Sequence, residues 1–251
     1  MKVNEKYRDR IIVALDTPDL KRVKYLVKLL RKVVSHFKVG SELFTAWGPE
    51  AIKTVRWAGG HVFLDLKYHD IPNTVARAVR EAAKLNISML TIHTAGGFSM
   101  MEAARLAAEE TLQRKKAKRR LKIFGVTVLT SLNQKEWNGI TGVGLKPAPA
   151  IGQTVLHLAQ MANEAGLDGV VASGQELPLI RSQVGKDFLV ITPGIRPSWS
   201  VKGDQTRVMT PKRALELGAD YLVIGRPITE VKDPLETAHK LIEEIADSSN
   251  K

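Results

Sequence analysis

The 251-residue chain contains no cysteine. Disulfide scaffolds, thiol nucleophiles, iron–sulfur clusters and thiolate zinc sites are excluded, and the chain fits a reducing compartment such as the cytoplasm. No apolar run approaches the ~20 residues that span a bilayer, so no membrane partner is expected. The opening MKVNEKYRDR is charged and lacks the apolar core of a secretory signal. No HExxH, EF-hand loop, Walker A sequence or GxSxG elbow occurs. Acidic residues are outnumbered, 26 against 38 Lys and Arg, for a net charge of +12. Anionic partners are therefore of interest. Much of the excess is local: Arg114, Lys115, Lys116, Lys118, Arg119, Arg120 and Lys122 fall in one short run. That run has no aromatic residue to stack on bases and joins a helical segment to a strand. It reads as a solvated turn, and nucleic acid is not the expected partner.

What is present is a globular balance, 44% hydrophobic and 25% charged. Short β-branched runs alternate with longer segments of helical period. The first run is Ile11 to Asp16, followed by Leu20, Val23, Val27, Leu30 and Val34 on one helical face. Asp16-Thr17-Pro18-Asp19 supplies the cap ahead of it. Further strands are expected at 37–40, 61–67, 89–93, 123–129, 169–173, 189–193 and 221–225. Helices are expected near 46–58, from about Met100, near 150–164 and at the C-terminus. About eight βα units in this length predict an α/β protein, a single (β/α)8 TIM barrel. No linker divides the chain, so one domain is expected over 1–251, with short flexible ends near 1–9 and 247–251. A doubly wound sheet is disfavoured because no glycine follows the first strand. Loops 131–148 and 196–210 are long enough to be lids or binding loops.

The site of such a barrel lies at the C-terminal strand ends. Polar residues gather there: Asp16, Lys38, Asp65, Lys67, His93, Thr130, Ser131, Ser173, Arg196 and Arg226. Asp65 and Lys67 alternate along one strand and so share a direction. Lys38 comes from the neighbouring strand, and Asp70 follows where the strand has ended. An ammonium flanked by carboxylates keeps its proton and is a proton donor. The plain alternative is a salt-bridge network that only braces the barrel. Gly194 with Arg196, and Gly225 with Arg226, stand after the seventh and eighth strands, the usual phosphate position of this fold. His93, with Asp65, His69 and Asp70 nearby, could be a metal ligand or, more commonly, a hydrogen-bonded structural histidine.

Taken together, Ala14-Leu15-Asp16, Lys38-Val39-Gly40, Asp65-Leu66-Lys67-Tyr68-His69-Asp70-Ile71-Pro72-Asn73-Thr74, Val128-Leu129-Thr130-Ser131, Thr192 to Arg196, Gly203-Asp204-Gln205 and Val223 to Pro227 resemble the orotidine 5′-phosphate decarboxylase family, in its order. The resemblance implies conversion of orotidine 5′-phosphate to UMP and CO2 in de novo pyrimidine synthesis, without metal or organic cofactor. It implies that Lys67 protonates the C6 carbanion, Asp65 stands beside the departing carboxylate, and Lys38 joins the network. Asp16 and Lys38 would hold ribose hydroxyls, and Thr130 and Ser131 would read the pyrimidine. Gln205, Gly225 and Arg226 would bind phosphate, with Arg196 and Pro193 also at the substrate. The 196–210 loop would close over the phosphate. Asp70, Ile71 and Thr74 would reach into a neighbouring subunit's site, making a homodimer with shared sites. Thr94 departs from the Ala or Ser expected of the family. A metal-dependent sugar-phosphate decarboxylase or aldolase of the same superfamily is the rival, but an ammonium at Lys38 would repel Mg2+. A basic nucleic-acid-binding scaffold is the other.

Overall fold

The computed structural model describes residues 5–115, 120–141, 150–200 and 208–246. Eight parallel strands, β1 (Ile11–Ala14), β2 (His36–Gly40), β3 (His61–Tyr68), β4 (Met89–His93), β5 (Lys122–Val126), β6 (Gly169–Val171), β7 (Leu189–Thr192) and β8 (Tyr221–Ile224), pair in sequence order. β8 pairs with β1, which closes the barrel. The helices outside it are α1 (Glu5–Arg8), α2 (Leu20–Leu30), α3 (Ser41–Trp47), α4 (Pro49–Trp57), α5 (Pro72–Lys84), α6 (Phe98–Lys115), α7 (Gln134–Ile140), α8 (Ile151–Glu164), α9 (Leu177–Val184), α10 (Pro211–Glu216), α11 (Arg226–Thr229) and α12 (Pro234–Ala246).

The helical period predicted for the first βα unit is the face α2 buries: Val23, Leu26, Val27 and Leu30. Each such burial contributes about 2 kcal/mol. Asp19 caps the helix by accepting from the Lys21 backbone N–H at 2.8 Å. Inside the barrel, Ile12, Phe63, Met89, Phe124 and Ile191 form a separate apolar cluster. The Phe63 and Phe124 rings meet edge to face at 6.5 Å. Toward the N-terminal strand ends the filling turns polar. Lys122 Nζ donates to the Tyr221 hydroxyl at 3.1 Å, and the His36 ring lies 5.6 Å from His61.

Three local expectations change. The helix expected near 46–58 is two helices, divided at Gly48, whose φ of +50° an L side chain rarely adopts, and Pro49 starts the second. Residues 5–8, within the end expected to be flexible, form helix α1, with Tyr7 buried and Arg10 just beyond it donating to the carbonyls of Ala219 and Asp220. The 131–148 segment begins with α7, held by a capping box between Asn133 and Glu136. Residues 1–4, 116–119, 142–149, 201–207 and 247–251 lie outside the described residues, and with them much of the basic run, both long loops in part, and the C-terminal end.

Candidate active site

A cavity of about 260 Å³ opens at the C-terminal strand ends. Asp16 after β1, Lys38 on β2, and Asp65 and Lys67 on β3 line one side. Thr130, Pro193, Arg196, Gly225 and Arg226 also border it. Its floor is apolar, made by Phe63, Val126, Val171 and Val223. The charged residues were readable from the sequence. The floor was not, since valines and phenylalanine in strands read equally well as core.

The four charges on β1–β3 form one network. Lys67 Nζ donates to both oxygens of Asp65, each at 3.0 Å. Lys38 Nζ donates to Asp16 Oδ1 at 2.8 Å and stands 3.9 Å from Asp65 Oδ2. The Lys38 and Asp65 side chains are only 13% and 14% exposed, so water screens their interaction weakly. Gly40 makes room for this: a Cβ there would stand 2.8 Å from Lys38 Nζ.

Asp65 and Lys67 do come together, but not by regular alternation. β3 and β4 pair at Leu64↔Leu90 and next at Tyr68↔Ile92, with a bulge between. Asp65, Leu66 and Lys67 therefore stand opposite Thr91 alone. Lys67 takes φ +51°, which costs a non-glycine residue about 1–2 kcal/mol. The Lys67 backbone N–H donates to Thr91 Oγ1 at 2.9 Å, and that hydroxyl donates to Asp65 Oδ1 at 2.9 Å. Thr91 was missed in the sequence; its only signal is a hydroxyl within Met89-Leu90-Thr91-Ile92.

The two arginines follow β7 and β8. Gly194 has φ +75°, a turn that needs glycine, and Arg196 follows. The Arg196 N–H donates to the Met209 carbonyl at 2.9 Å and the Met209 N–H to the Gly194 carbonyl at 3.2 Å. Both ends of the 196–210 loop are thereby tied together. Gln205 lies outside the described residues. Arg226 opens α11 directly after Gly225.

Other residues singled out from the sequence lie elsewhere. Asp70, Ile71 and Thr74 are exposed and do not border the cavity of their own chain. Asp70 Oδ1 accepts from the Ile71 N–H at 2.7 Å. Ser131 is exposed beside the cavity-lining Thr130. His93 stacks on His69 with ring centroids 5.3 Å apart, and its Nδ1 accepts from the Ala95 N–H at 3.4 Å. Burial, then the His69 and Lys67 charges, push the His93 pKa down. Among the described residues no group of three or more His, Asp or Glu is placed to hold a metal. The metal-ligand set considered around His93 is therefore not assembled. Thr94, the departure from the family pattern, donates to the Val126 carbonyl at 2.8 Å and packs its methyl over Gly125.

Fold and site define a class: a (β/α)8-barrel enzyme whose apolar-floored cavity is lined by a lysine–aspartate network and by two arginines. The profile described as "Orotidine 5'-phosphate decarboxylase / HUMPS family" matches residues 9–241, and the chain belongs to that family. It is 48% identical over 236 residues to a protein of Geobacter sp. (strain M21) named orotidine 5′-phosphate decarboxylase, covering 94% of this chain and 95% of that protein. A protein of the same name from Moorella thermoacetica is 48% identical over 238 residues, covering 95% and 92%. The crystal structure of orotidine 5′-phosphate decarboxylase from Lactobacillus acidophilus superposes with a TM-score of 0.78 at 36% identity, covering 94% of this chain and 99% of that one.

Proposed function

We propose that this chain decarboxylates orotidine 5′-phosphate to UMP and CO2, a step of de novo pyrimidine synthesis. The observation that carries it is the pairing of Lys67 with both oxygens of Asp65 in a cavity that Arg196 and Arg226 also line. Arg226 and Arg196 offer planar donor forks to the phosphate. Gly225 lets the backbone approach it, with Gln205 and Pro193 completing the phosphate site. Asp16 and Lys38 hold the ribose hydroxyls. The pyrimidine lies over the apolar floor, with Thr130 and Ser131 at its polar edge.

In this pose the substrate carboxylate meets Asp65. The C6–carboxylate bond breaks heterolytically, CO2 leaves, and the electron pair stays on C6. Lys67 Nζ passes one proton to C6 and is reprotonated from water. Fixed ammonium groups aimed at the developing carbanion lower its energy without reorganising. Binding energy from the remote phosphate holds the reacting carbon in this charged site.

Asp70, Ile71 and Thr74 act on a second copy's cavity, so the active unit is a homodimer. Their exposure outside their own cavity supports this, as does the 66% exposure of Ile71. The reading makes the enzyme cytoplasmic, alongside soluble nucleotide metabolites; among the described residues no helix is long and apolar enough to cross a membrane.

The test is the ultraviolet change when purified protein meets orotidine 5′-phosphate with a chelator present. Conversion to UMP is expected. A folded protein that converts none would move the assignment to a metal-dependent sugar-phosphate relative, and conversion only when Mg2+ is restored would overturn the metal-free mechanism.

A further inference from the structure

We propose that Thr91 is a positioning residue for decarboxylation, setting the geometry of the Asp65–Lys67 pair through its single hydroxyl; this rests on the roles given to that pair above. Thr91 lies on β4, wholly buried, opposite the bulge of β3. A threonine hydroxyl has one proton to give and lone pairs to receive. The Lys67 backbone N–H donates into it at 2.9 Å. Its own proton is then directed to Asp65 Oδ1, also at 2.9 Å. One atom thus joins the backbone that carries the proton donor to the carboxylate that orients it.

Both links act where the ladder does not. Between Leu64 and Tyr68 the β3–β4 pairing is interrupted, and Lys67 takes a left-handed conformation that its side chain disfavours. The Thr91 oxygen receives the N–H at that point. Asp65 Oδ1 takes Thr91 Oγ1 and Lys67 Nζ, while Oδ2 takes Lys67 Nζ, with Lys38 Nζ 3.9 Å away. The carboxylate plane is thereby fixed from two sides, and the Lys67 ammonium follows it. Thr91 itself does not border the cavity. Its loss should therefore move the reacting groups and not the substrate's grip.

Valine has the shape of threonine without the hydroxyl. In Thr91→Val the Lys67 N–H loses its acceptor and Asp65 loses a donor. The expected result is a fall in kcat of about 10- to 100-fold with KM nearly unchanged, the pattern of misplaced reacting groups. Thr91→Ser keeps the hydroxyl and should restore kcat to within about threefold of the parent. Steady-state kinetics on the full chain, with circular dichroism confirming the fold, decide it. A folded Thr91→Val with parental kcat overturns the proposal. So does a fall in kcat that Thr91→Ser shares equally, since that points to packing alone. A rise in KM with kcat intact overturns it too. Should Thr91→Val not fold, Thr91→Cys replaces it. A thiol is the weaker donor and acceptor, so kcat should drop below that of Thr91→Ser at equal KM, and equality of the two defeats the idea. Lys67→Ala is measured in parallel. If it turns over normally, the assigned mechanism fails; if it is dead while Thr91→Val is normal, only the role of Thr91 fails.

Discussion

Among the described residues of its own chain, Lys67 is held by one carboxylate. Its ammonium meets Asp65 twice, while Lys38 is occupied by Asp16. Removing the proton donor should therefore stop the reaction without emptying the site. Lys67→Ala is expected to lower turnover by at least about 10³-fold, within the range for a lost general acid, while UMP still binds. Turnover close to the parent's would refute the assignment. His93 offers a separate check. Its folded pKa lies below the unfolded value near 6.5, so below that pH the unfolded chain takes the proton first. Stability is complete above about pH 6.5 and is lost as pH falls from there toward the depressed folded value. His93→Gln should narrow the drop in melting temperature between pH 7.5 and pH 5.5. An unchanged drop would show that other groups govern it. Lys38 and Asp65 were legible in the sequence because charges within apolar strands need a reason, and Asp16, Lys67, Arg196 and Arg226 because they fall at C-terminal strand ends, the arginines beside glycines. Thr91 was not, since a lone threonine suits any strand and its role depends on a bulge that alternation does not announce.

At the level of elements, the seam between β4 and β5 shows how closely the barrel wall is fitted. Gly125 on β5 has no side chain, and the Thr94 methyl occupies the space: a Cβ there would stand 2.6 Å from Thr94 Cγ2. Gly125→Ala should cost about 1–3 kcal/mol by overpacking. Combining it with Thr94→Ala should recover part of that cost, a coupling that urea unfolding of the two single variants and the double variant measures. Strictly additive losses would mean that the two positions do not share the space. The strands and the longer helices α2, α4, α6, α8 and α12 followed from period, with a cap read ahead of α2. The division at Gly48-Pro49 and the helix α7 did not, because one hinges on a positive φ and the other on a reciprocal cap inside a polar stretch.

For the whole molecule, the residues assigned to the proposed reaction fall into those that line the cavity of their own chain and those that do not. Arg226 borders the cavity of its own chain, and Asp70 does not. In the proposed dimer the two serve different cavities of the same particle. Asp70→Asn and Arg226→Ala should each be inactive alone. Mixed and allowed to exchange, they should recover up to about a quarter of parental activity, since half of the particles are mixed and each carries one intact cavity. No recovery after verified exchange would argue for self-sufficient chains.

The bulge of β3 has a further consequence. Three of its residues stand where β4 has one, and closure of the barrel needs only one of them. The chemistry thus occupies a two-residue excess in a scaffold that is otherwise evenly paired. In evolutionary terms, an in-frame loss of two of these residues should remove the proposed chemistry while leaving β3 and β4 evenly paired. A lineage that lost this excess would keep a sound barrel open to other uses.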